Sequence, residues 1–481
     1  MKSKVTVNYF YNLIYQILSI ALPTLTVPYV SRVLGAATLG RYYYVSSVVT
    51  YFGIIAATGT VDFGQREIAK RQRDKIARSE SFLEIFYFRL IFTVISLTGY
   101  IVFINLFAGH YYSLYFADII MFFSWALDVS WYLQGVENFR ATAIRNGAVK
   151  IICTILIFVF VRKPSDVLIY ISIYAFANLI GNITMIPYLK EEIVFHSVTF
   201  KQIFRNFYGI MQLFFPVIAV QLYTSLNQTM LGIYSNSSQV GYYAQTLSVI
   251  NLIITVITAY SAVLIPHIAY LHIRKKTNEV KEYSKLAIDY VHLSSIPMMI
   301  GFITLDYIFV PFFFGKKYIS AIPIMSVLCL LFVILGLSRL LGSFLIAINK
   351  QHLYSISVAS AAVTNLLLNY ILLVNFHFGA IGVAWATVIS EMVTTIIDVF
   401  CLKGLIDIKC YITSFSKYLV ISLPILFIVR VALVAFTSKL IGMTLSIVVS
   451  VIYYMFILII TKDRTFSIFV KPIIDKLSKK S

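Results

Sequence analysis

The chain has 481 residues, of which 60% are hydrophobic and only 12% are charged, with a mean hydropathy of +0.87 and a formal net charge of +19. A water-soluble protein usually carries about twice this share of charged residues, so the composition excludes a soluble globular fold. Lipid is then the solvent of most side chains, and function must be carried by the few polar groups inside the membrane, where each is energetically costly.

Apolar stretches follow one another from end to end of the chain, each near the roughly 20 residues that a membrane-spanning helix needs. Their apolar residues are continuous rather than alternating, which favours helices over the strands of a membrane barrel. The predicted fold is therefore all-α and polytopic, with about 14 transmembrane helices. The predicted spans are 9–30, 42–61, 82–106, 113–134, 147–163, 166–188, 207–231, 239–271, 286–313, 320–347, 352–375, 379–402, 416–436 and 440–461.

Lysine and arginine are unevenly distributed over the loops between these spans. With a cytoplasmic N-terminus, and with charges at the span ends counted in the adjoining loops, 29 of the 39 Lys and Arg residues lie in inner segments, 7 in outer segments and 3 deeper inside spans. This asymmetry follows the positive-inside rule and predicts a multi-pass protein with both termini in the cytoplasm. The charge therefore indicates anionic membrane lipid as a partner and argues against nucleic acid. The first apolar run is too long for a signal peptide and is interpreted as a retained helix.

A short internal repeat predicts how the helices are organised. The segment 34–49 (LGAATLGRYYYVSSVV) resembles 231–250 (LGIYSNSSQVGYYAQTLSVI), with glycine–tyrosine steps aligned at Gly40 and Gly241. Span 1 thus matches span 7 in the same direction, which is the pattern of a parallel repeat in secondary transporters. We expect two pseudo-symmetric six-helix lobes, with spans 1–6 in residues 1–205 and spans 7–12 in residues 206–402. The last two helices and a basic cytoplasmic tail occupy residues 403–481.

Arginines within or beside the spans are the first candidates for a binding site. Arg89 lies about seven residues, or roughly 10 Å, inside the third span; Arg339 lies in the tenth span, and Arg32 closes the first. Arginine at such depth needs water or an anion and binds phosphate through its planar fork of donors, although snorkelling to the headgroups is the alternative, favoured for Arg430. Gln212 and Gln221 are further polar candidates for a diphosphate or sugar site.

Two acidic residues in span 12 are candidates for ion coupling. Glu391 lies near the predicted midplane, and Asp398 follows seven residues later on the same helical face. A carboxylate at that depth is usually paired, protonated or bound to a cation. The sequence therefore indicates possible coupling to H⁺ or Na⁺ and no other cofactor.

Catalytic signatures are absent from the sequence. It contains no P-loop, no HExxH and no GxSxG motif, and its outer loops are too short to carry a cluster of catalytic groups. The four cysteines are scattered, without metal-ligand spacing or a disulfide framework. We expect a protein that is not an enzyme, with no catalytic and no metal-binding residues.

Several segments resemble one known family, the oligosaccharide-lipid flippases of the polysaccharide transporter type. The quoted resemblance rests on PYVSRVLGAATLGRYYY (28–44), TGTVDFGQREIAKRQRDK (58–75), DVSWYLQGVENFRATAIRN (128–146) and LYTSLNQTMLGIYSNSSQVGYYAQTLSVI (222–250). The loop residues that carry the two most specific strings are Asp62, Arg66, Asp128, Trp131 and Glu137. The resemblance places the chain in the multidrug/oligosaccharidyl-lipid/polysaccharide (MOP) exporter superfamily.

This resemblance implies a V-shaped bundle like that of the multidrug exporters of this superfamily, located in a bacterial plasma membrane. It implies export of undecaprenyl-diphosphate-linked repeat units for capsule, exopolysaccharide or O-antigen by alternating access, with a polysaccharide polymerase and a chain-length regulator as possible partners. The alternatives are a cation-coupled drug or metabolite antiporter of the same superfamily, a lipid II flippase, and a membrane enzyme that makes glycans.

Overall fold

The computed structural model describes residues 2–190, 192–259 and 261–468, and within these ranges the chain is helical with no β-strand, which confirms the all-α prediction. The helices are α1 Lys2–Ala57, α2 Thr60–Lys70, α3 Lys75–Phe107, α4 Tyr112–Ala117, α5 Ile119–Ala126, α6 Ser130–Gly135, α7 Phe139–Phe160, α8 Val167–Ile183, α9 Phe200–Ile203, α10 Phe207–Tyr234, α11 Ser237–Thr258, α12 Ser261–Ile273, α13 Thr277–Phe313, α14 Ile322–Leu328, α15 Leu331–Ala347, α16 Gln351–Asn369, α17 Gly379–Cys401, α18 Ile408–Ser422, α19 Pro424–Ala435 and α20 Lys439–Ile460.

By length and composition, 11 described helical stretches can cross a membrane, or 12 if the bent pair Lys316–Leu328 and Leu331–Ala347 is one span. The stretch Ile14–Lys70 counts once in this number. Within it, however, Gly35 has φ 76° and ψ 166°, so α1 is two helices that meet at a kink. Glycine suits this backbone because it carries no Cβ. The polytopic fold is confirmed, whereas the number of 14 spans stays a prediction.

The chain divides into two compact units, Met1–Ala244 and Gln245–Ser481. In the first unit, α1 packs against α3, α7 and α10, and α8 packs against α5 and α7. In the second unit, α13 packs against α15 and α18, and α17 packs against α15 and α16. The predicted lobe boundaries after residues 205 and 402 come from the sequence repeat, whereas these two units are defined by contacts within the structure. The lobe boundaries stay predictions.

The two repeated glycine–tyrosine steps meet in the first unit. A Cβ atom added at Gly40 would lie 1.6 Å from the carbonyl oxygen of Ser237, four residues before Gly241. A Cβ added at Gly241 would lie 2.0 Å from the carbonyl oxygen of Ala36, four residues before Gly40. This reciprocal contact is the arrangement that a two-fold relation between the two copies produces. Only glycine lets the two backbones approach this closely.

Replacing Gly40 with alanine should therefore separate two helix backbones. We expect Gly40→Ala to lower the free energy of unfolding by about 1–3 kcal/mol, the usual cost of overpacking. Gly301→Ala is the matched control, since nothing lies within 4 Å of an added Cβ in the middle of α13. Thermal unfolding of the purified protein in detergent measures both. Equal melting temperatures for the two variants would contradict the close crossing.

Candidate functional site

Arg89 is buried and fully engaged by the first unit. Its side chain, in α3, is 1% exposed. The Nε atom donates to the carbonyl oxygen of Trp125 at 2.8 Å, Nη1 to Oγ1 of Thr60 at 3.5 Å and Nη2 to Oδ2 of Asp128 at 3.3 Å. A buried arginine paired in this way stabilises the bundle and has its charge already compensated. The geometry does not support the expectation that Arg89 holds a diphosphate.

Asp128 and Trp131 hold the chain segment between α5 and α7. Oδ1 of Asp128 accepts the backbone N–H of Ser130 at 3.0 Å, and its carbonyl oxygen accepts Nε1–H of Trp131 at 3.1 Å. Trp131 is completely buried and stacks on Phe82 with ring centroids 5.4 Å apart. Its ring also lies against Gly64, where an added Cβ would come within 2.4 Å. These two motif residues therefore have structural roles.

The other motif residues lie on the surface. Asp62 and Arg66 are exposed on α2, and Glu137 is exposed in the turn before α7 with φ 60°. Glu67 and Arg71, at i,i+4 spacing on α2, form an ion pair with 2.9 Å between Nη2 of Arg71 and Oε1 of Glu67. The helix α2 is thus held in part by an ion pair between its own side chains.

In the second unit, the structure brings together residues that the sequence assigned to different roles. Arg339 is exposed on α15, and its Nη2 lies 3.5 Å from Oδ1 of Asn251 on α11. Glu391, half-buried on α17, interacts electrostatically with Arg339. Asp398, two turns further along α17, is completely buried, and neither of its oxygens has a hydrogen bond in good geometry within the described structure. Ser357 is its polar neighbour. The arrangement places Arg339 beside Glu391, and Glu391 in turn interacts electrostatically with Asp398.

The remaining candidates lie on α1, α10 and α19. Arg32 is exposed just before the kink of α1, Gln212 and Gln221 are exposed on α10, and Arg430 is exposed on α19. Arg32, Gln212 and Gln221 remain predictions as substrate contacts, whereas snorkelling to the headgroups stays the favoured role of Arg430.

A basic pocket in the first unit was missed by the sequence analysis. The helix α7 begins at Phe139, where the Asn138 side chain caps it by accepting the N–H of Ala141 at 3.3 Å. The predicted span 147–163 leaves Arg145 and Lys150 with the charges of the preceding inner loop, but in the structure they lie roughly 9 Å and 16 Å along this helix at 1.5 Å per residue. The capping asparagine was the sequence signal that could have placed them inside a helix.

Arg145 lies between α7 and α8 with neutral partners. Its Nη1 donates to Oδ1 of Asn146 at 2.6 Å, and Nη2 donates to Oδ1 of Asn182 at 2.6 Å and to the carbonyl oxygen of Asn178 at 3.1 Å. Its Nε is buried without a hydrogen-bond partner in the described structure. Asp128 interacts with it electrostatically but is not within ion-pair distance. The charge of Arg145 is therefore oriented without being neutralised by a contact ion pair.

Lys150 completes the cationic lining of this pocket. Its Nζ lies 2.9 Å from Oγ of Ser19 and 5.1 Å from the ring centroid of Tyr15. The pocket has a volume of about 360 Å³, and among the described residues that line it none is acidic. The lining residues come from α1, α7 and α8 and include polar side chains throughout: Tyr15, Thr26, Arg145, Asn146, Lys150, Thr154, Tyr174 and Asn178. Two cations with hydroxyl and amide groups suit a phosphorylated, hydroxyl-rich ligand.

Structural comparison defines the class of fold. The lipid II flippase MurJ, in an inward closed conformation, matches with a TM-score of 0.72 at 17% identity, over 98% of this chain and 100% of that chain. An inward-facing multidrug resistance transporter of the MATE family in the MOP superfamily matches with a TM-score of 0.59 at 18% identity, over 84% of this chain and 96% of that chain. The chain thus has the polytopic helical fold of these transport proteins.

Sequence comparison gives the family. Residues 5–272 match the model of the family described as polysaccharide biosynthesis protein, and the chain belongs to that family. Proteins described as O-antigen transporters of Shigella dysenteriae and Escherichia coli (strain K12) are each 24% identical, over 79% and 81% of this chain and 95% and 94% of those proteins. A Haloferax volcanii protein described as a low-salt glycan biosynthesis flippase is 23% identical over 39% of each chain. The resemblance drawn from the loop strings is confirmed.

The structural role of Arg89 makes a prediction about stability. Arg89→Gln should lower the free energy of unfolding by about 1–3 kcal/mol, because the Asp128 carboxylate and the Trp125 carbonyl lose buried donors. Arg430→Gln is the control at an exposed position, where changes usually stay within about 0.5 kcal/mol. Thermal unfolding in detergent measures both variants. A wild-type melting temperature for Arg89→Gln would contradict this role.

Proposed function

We propose that the protein moves undecaprenyl-diphosphate-linked oligosaccharide repeat units from the inner to the outer leaflet of a bacterial plasma membrane. The supporting observation is the pocket in the first unit, where Arg145 and Lys150 stand among hydroxyl and amide side chains with no acidic residue in the described lining. Family membership and the relatives described as O-antigen transporters agree with a glycan substrate. The product would feed a capsule, exopolysaccharide or O-antigen pathway, with a polymerase and a chain-length regulator acting after it.

The chemistry of such a substrate explains why cations in a pocket between helices are useful. Its diphosphate is anionic, its sugars are polar and its prenyl tail is apolar, so each part needs different surroundings. Arginine offers a planar fork of donors for phosphate oxygens, and lysine offers a mobile point charge. Transport by alternating access needs no bond chemistry, only a site that exchanges its exposure between the two sides. We therefore assign head-group binding to Arg145 and Lys150 in place of Arg89.

The alternatives rest on weaker observations. The lipid II flippase and the multidrug transporter share the fold at 17% and 18% identity, which carries no information about substrate. The relatives that align over most of the chain are described as O-antigen transporters. The glycan-lipid substrate is therefore the function that we infer.

Removal of either pocket cation should impair transport. We expect Arg145→Gln and Lys150→Gln each to lower export of the lipid-linked glycan by about tenfold, since a lost charge-assisted hydrogen bond is worth roughly 1.5–3 kcal/mol. The measurement is surface glycan in cells whose only copy is the variant, at matched protein levels. Arg430→Gln is the control and should export normally. Wild-type export by both pocket variants would exclude this pocket from the mechanism.

Net outward transport requires an energy source, and the acidic pair in the second unit is our proposed coupling site. Glu391 and Asp398 can exchange a proton or bind Na⁺. Because Arg339 lies beside Glu391, binding or release of the proton or Na⁺ changes the attraction between these two side chains. We expect Glu391→Gln to make transport in proteoliposomes independent of an imposed proton or sodium gradient. Glu279→Gln, on an exposed carboxylate of α13, is the control. Unaltered gradient dependence in Glu391→Gln would refute the coupling role.

A further inference from the structure

An apolar groove runs along the exposed side of the first unit between α7 and α8. It has a volume of about 550 Å³, within the usual range for ligand sites. Large side chains that are roughly half exposed form its walls: Ile152 and Phe160 from α7, Leu168, Phe176 and Ile180 from α8. The polar residues in its described lining are Arg145, Ser172 and Thr184, and none is acidic. A groove of this kind in a membrane protein accepts a hydrocarbon chain.

The groove and the basic pocket share Arg145 and Val149 in their linings. The guanidinium group of Arg145 lies across α8, where Gly181 makes room for it. A Cβ added at Gly181 would lie 2.7 Å from Nε of Arg145 and 2.4 Å from Cγ2 of Val149. The absence of a side chain at this position therefore lets one cation serve both cavities. An apolar channel thus ends at a positive charge, and a second positive charge lies in the adjoining pocket.

We propose that this groove binds the prenyl chain of a polyprenyl phosphate or diphosphate lipid whose head group is held by Arg145 and Lys150. This inference rests on the proposed function and adds the place where the tail lies during head-group binding. Charge complementarity identifies an anionic amphiphile, because the described linings of both cavities contain cations and no carboxylates. The single groove between two helices identifies a lipid with one chain, whereas a glycerophospholipid brings two.

The test compares lipid binding by the purified full-length protein with and without a blocked groove. Ala148→Trp fills the groove from α7, and Ser172→Trp fills it from α8. Ile151→Trp places the same side chain on an exposed part of α7 that does not line the groove. Native mass spectrometry in detergent measures binding of undecaprenyl phosphate, with phosphatidylglycerol as the competing anionic lipid.

We expect undecaprenyl phosphate to bind at least tenfold more tightly than phosphatidylglycerol, and both groove variants to lose at least tenfold of that affinity. The Ile151→Trp control should bind as the wild type does. Equal affinity for the two lipids would mean that bulk phospholipid occupies the groove and would overturn the proposal. Normal binding of undecaprenyl phosphate by Ala148→Trp and Ser172→Trp would overturn it as well.

A second measurement covers the case in which the tryptophan variants do not fold. A polyprenyl phosphate with a photoreactive group in its tail should crosslink the wild-type protein at α7 and α8, and crosslinks confined to other helices would overturn the proposal. The proposed function fails separately, if cells without the protein still export glycan normally. Export that needs the protein, combined with tail crosslinks elsewhere, would leave the function standing and remove only the groove.

Discussion

A positive charge inside an apolar helix bundle must be compensated, and this constraint decides which arginines are available for a ligand. Arg89 meets it within the protein, through a contact with Asp128 and hydrogen bonds to Trp125 and Thr60. Arg145 meets it only in part, because its hydrogen-bond partners are amide and carbonyl oxygens. An anion that enters beside Arg145 can pair with a guanidinium group that the fold has oriented without neutralising its charge. The same residue type therefore stabilises the fold at one place and leaves a charge available to a ligand at another.

Close helix packing fixes the surroundings in which these charges lie. The reciprocal contact of Gly40 and Gly241 brings α1 and the start of α11 to backbone distance within the first unit. In the same unit α1 also packs against α7, and the basic pocket is lined by both of these helices together with α8. Small residues thus determine how far the helices approach, and the polar groups occupy the spaces that remain. Since lipid adds little drive for helices to associate, such packing is what a membrane bundle depends on.

Much of the fold could be predicted because lipid imposes a simple rule: a spanning segment must be apolar and helical. The fold class and the family followed from continuous apolar runs and from the loop strings. The candidate site was harder, because depth in sequence does not reveal partners in space. Arg89 was a reasonable candidate by depth, yet its compensation by Asp128 depends on packing that no spacing rule gives. Arg145 was not among the predicted site residues because the predicted start of its helix was wrong. Apolarity alone begins this helix at residue 147, whereas the helix capped by Asn138 begins at Phe139.

Two of the loop residues that identify the family have structural contacts rather than a place in the pocket. Trp131 is completely buried against Phe82 and Gly64, and Asp128 holds both Arg89 and the turn before α6. These side chains act by fixing the position of a segment whose next helix, α7, carries the pocket cations. The string 128–146 therefore preserves the frame of the site and also reaches the pocket, because it ends on Arg145 and Asn146, whereas Lys150 lies beyond it. For this fold, the residues that distinguish one substrate from another are therefore expected on the helix faces that line the pocket and the groove.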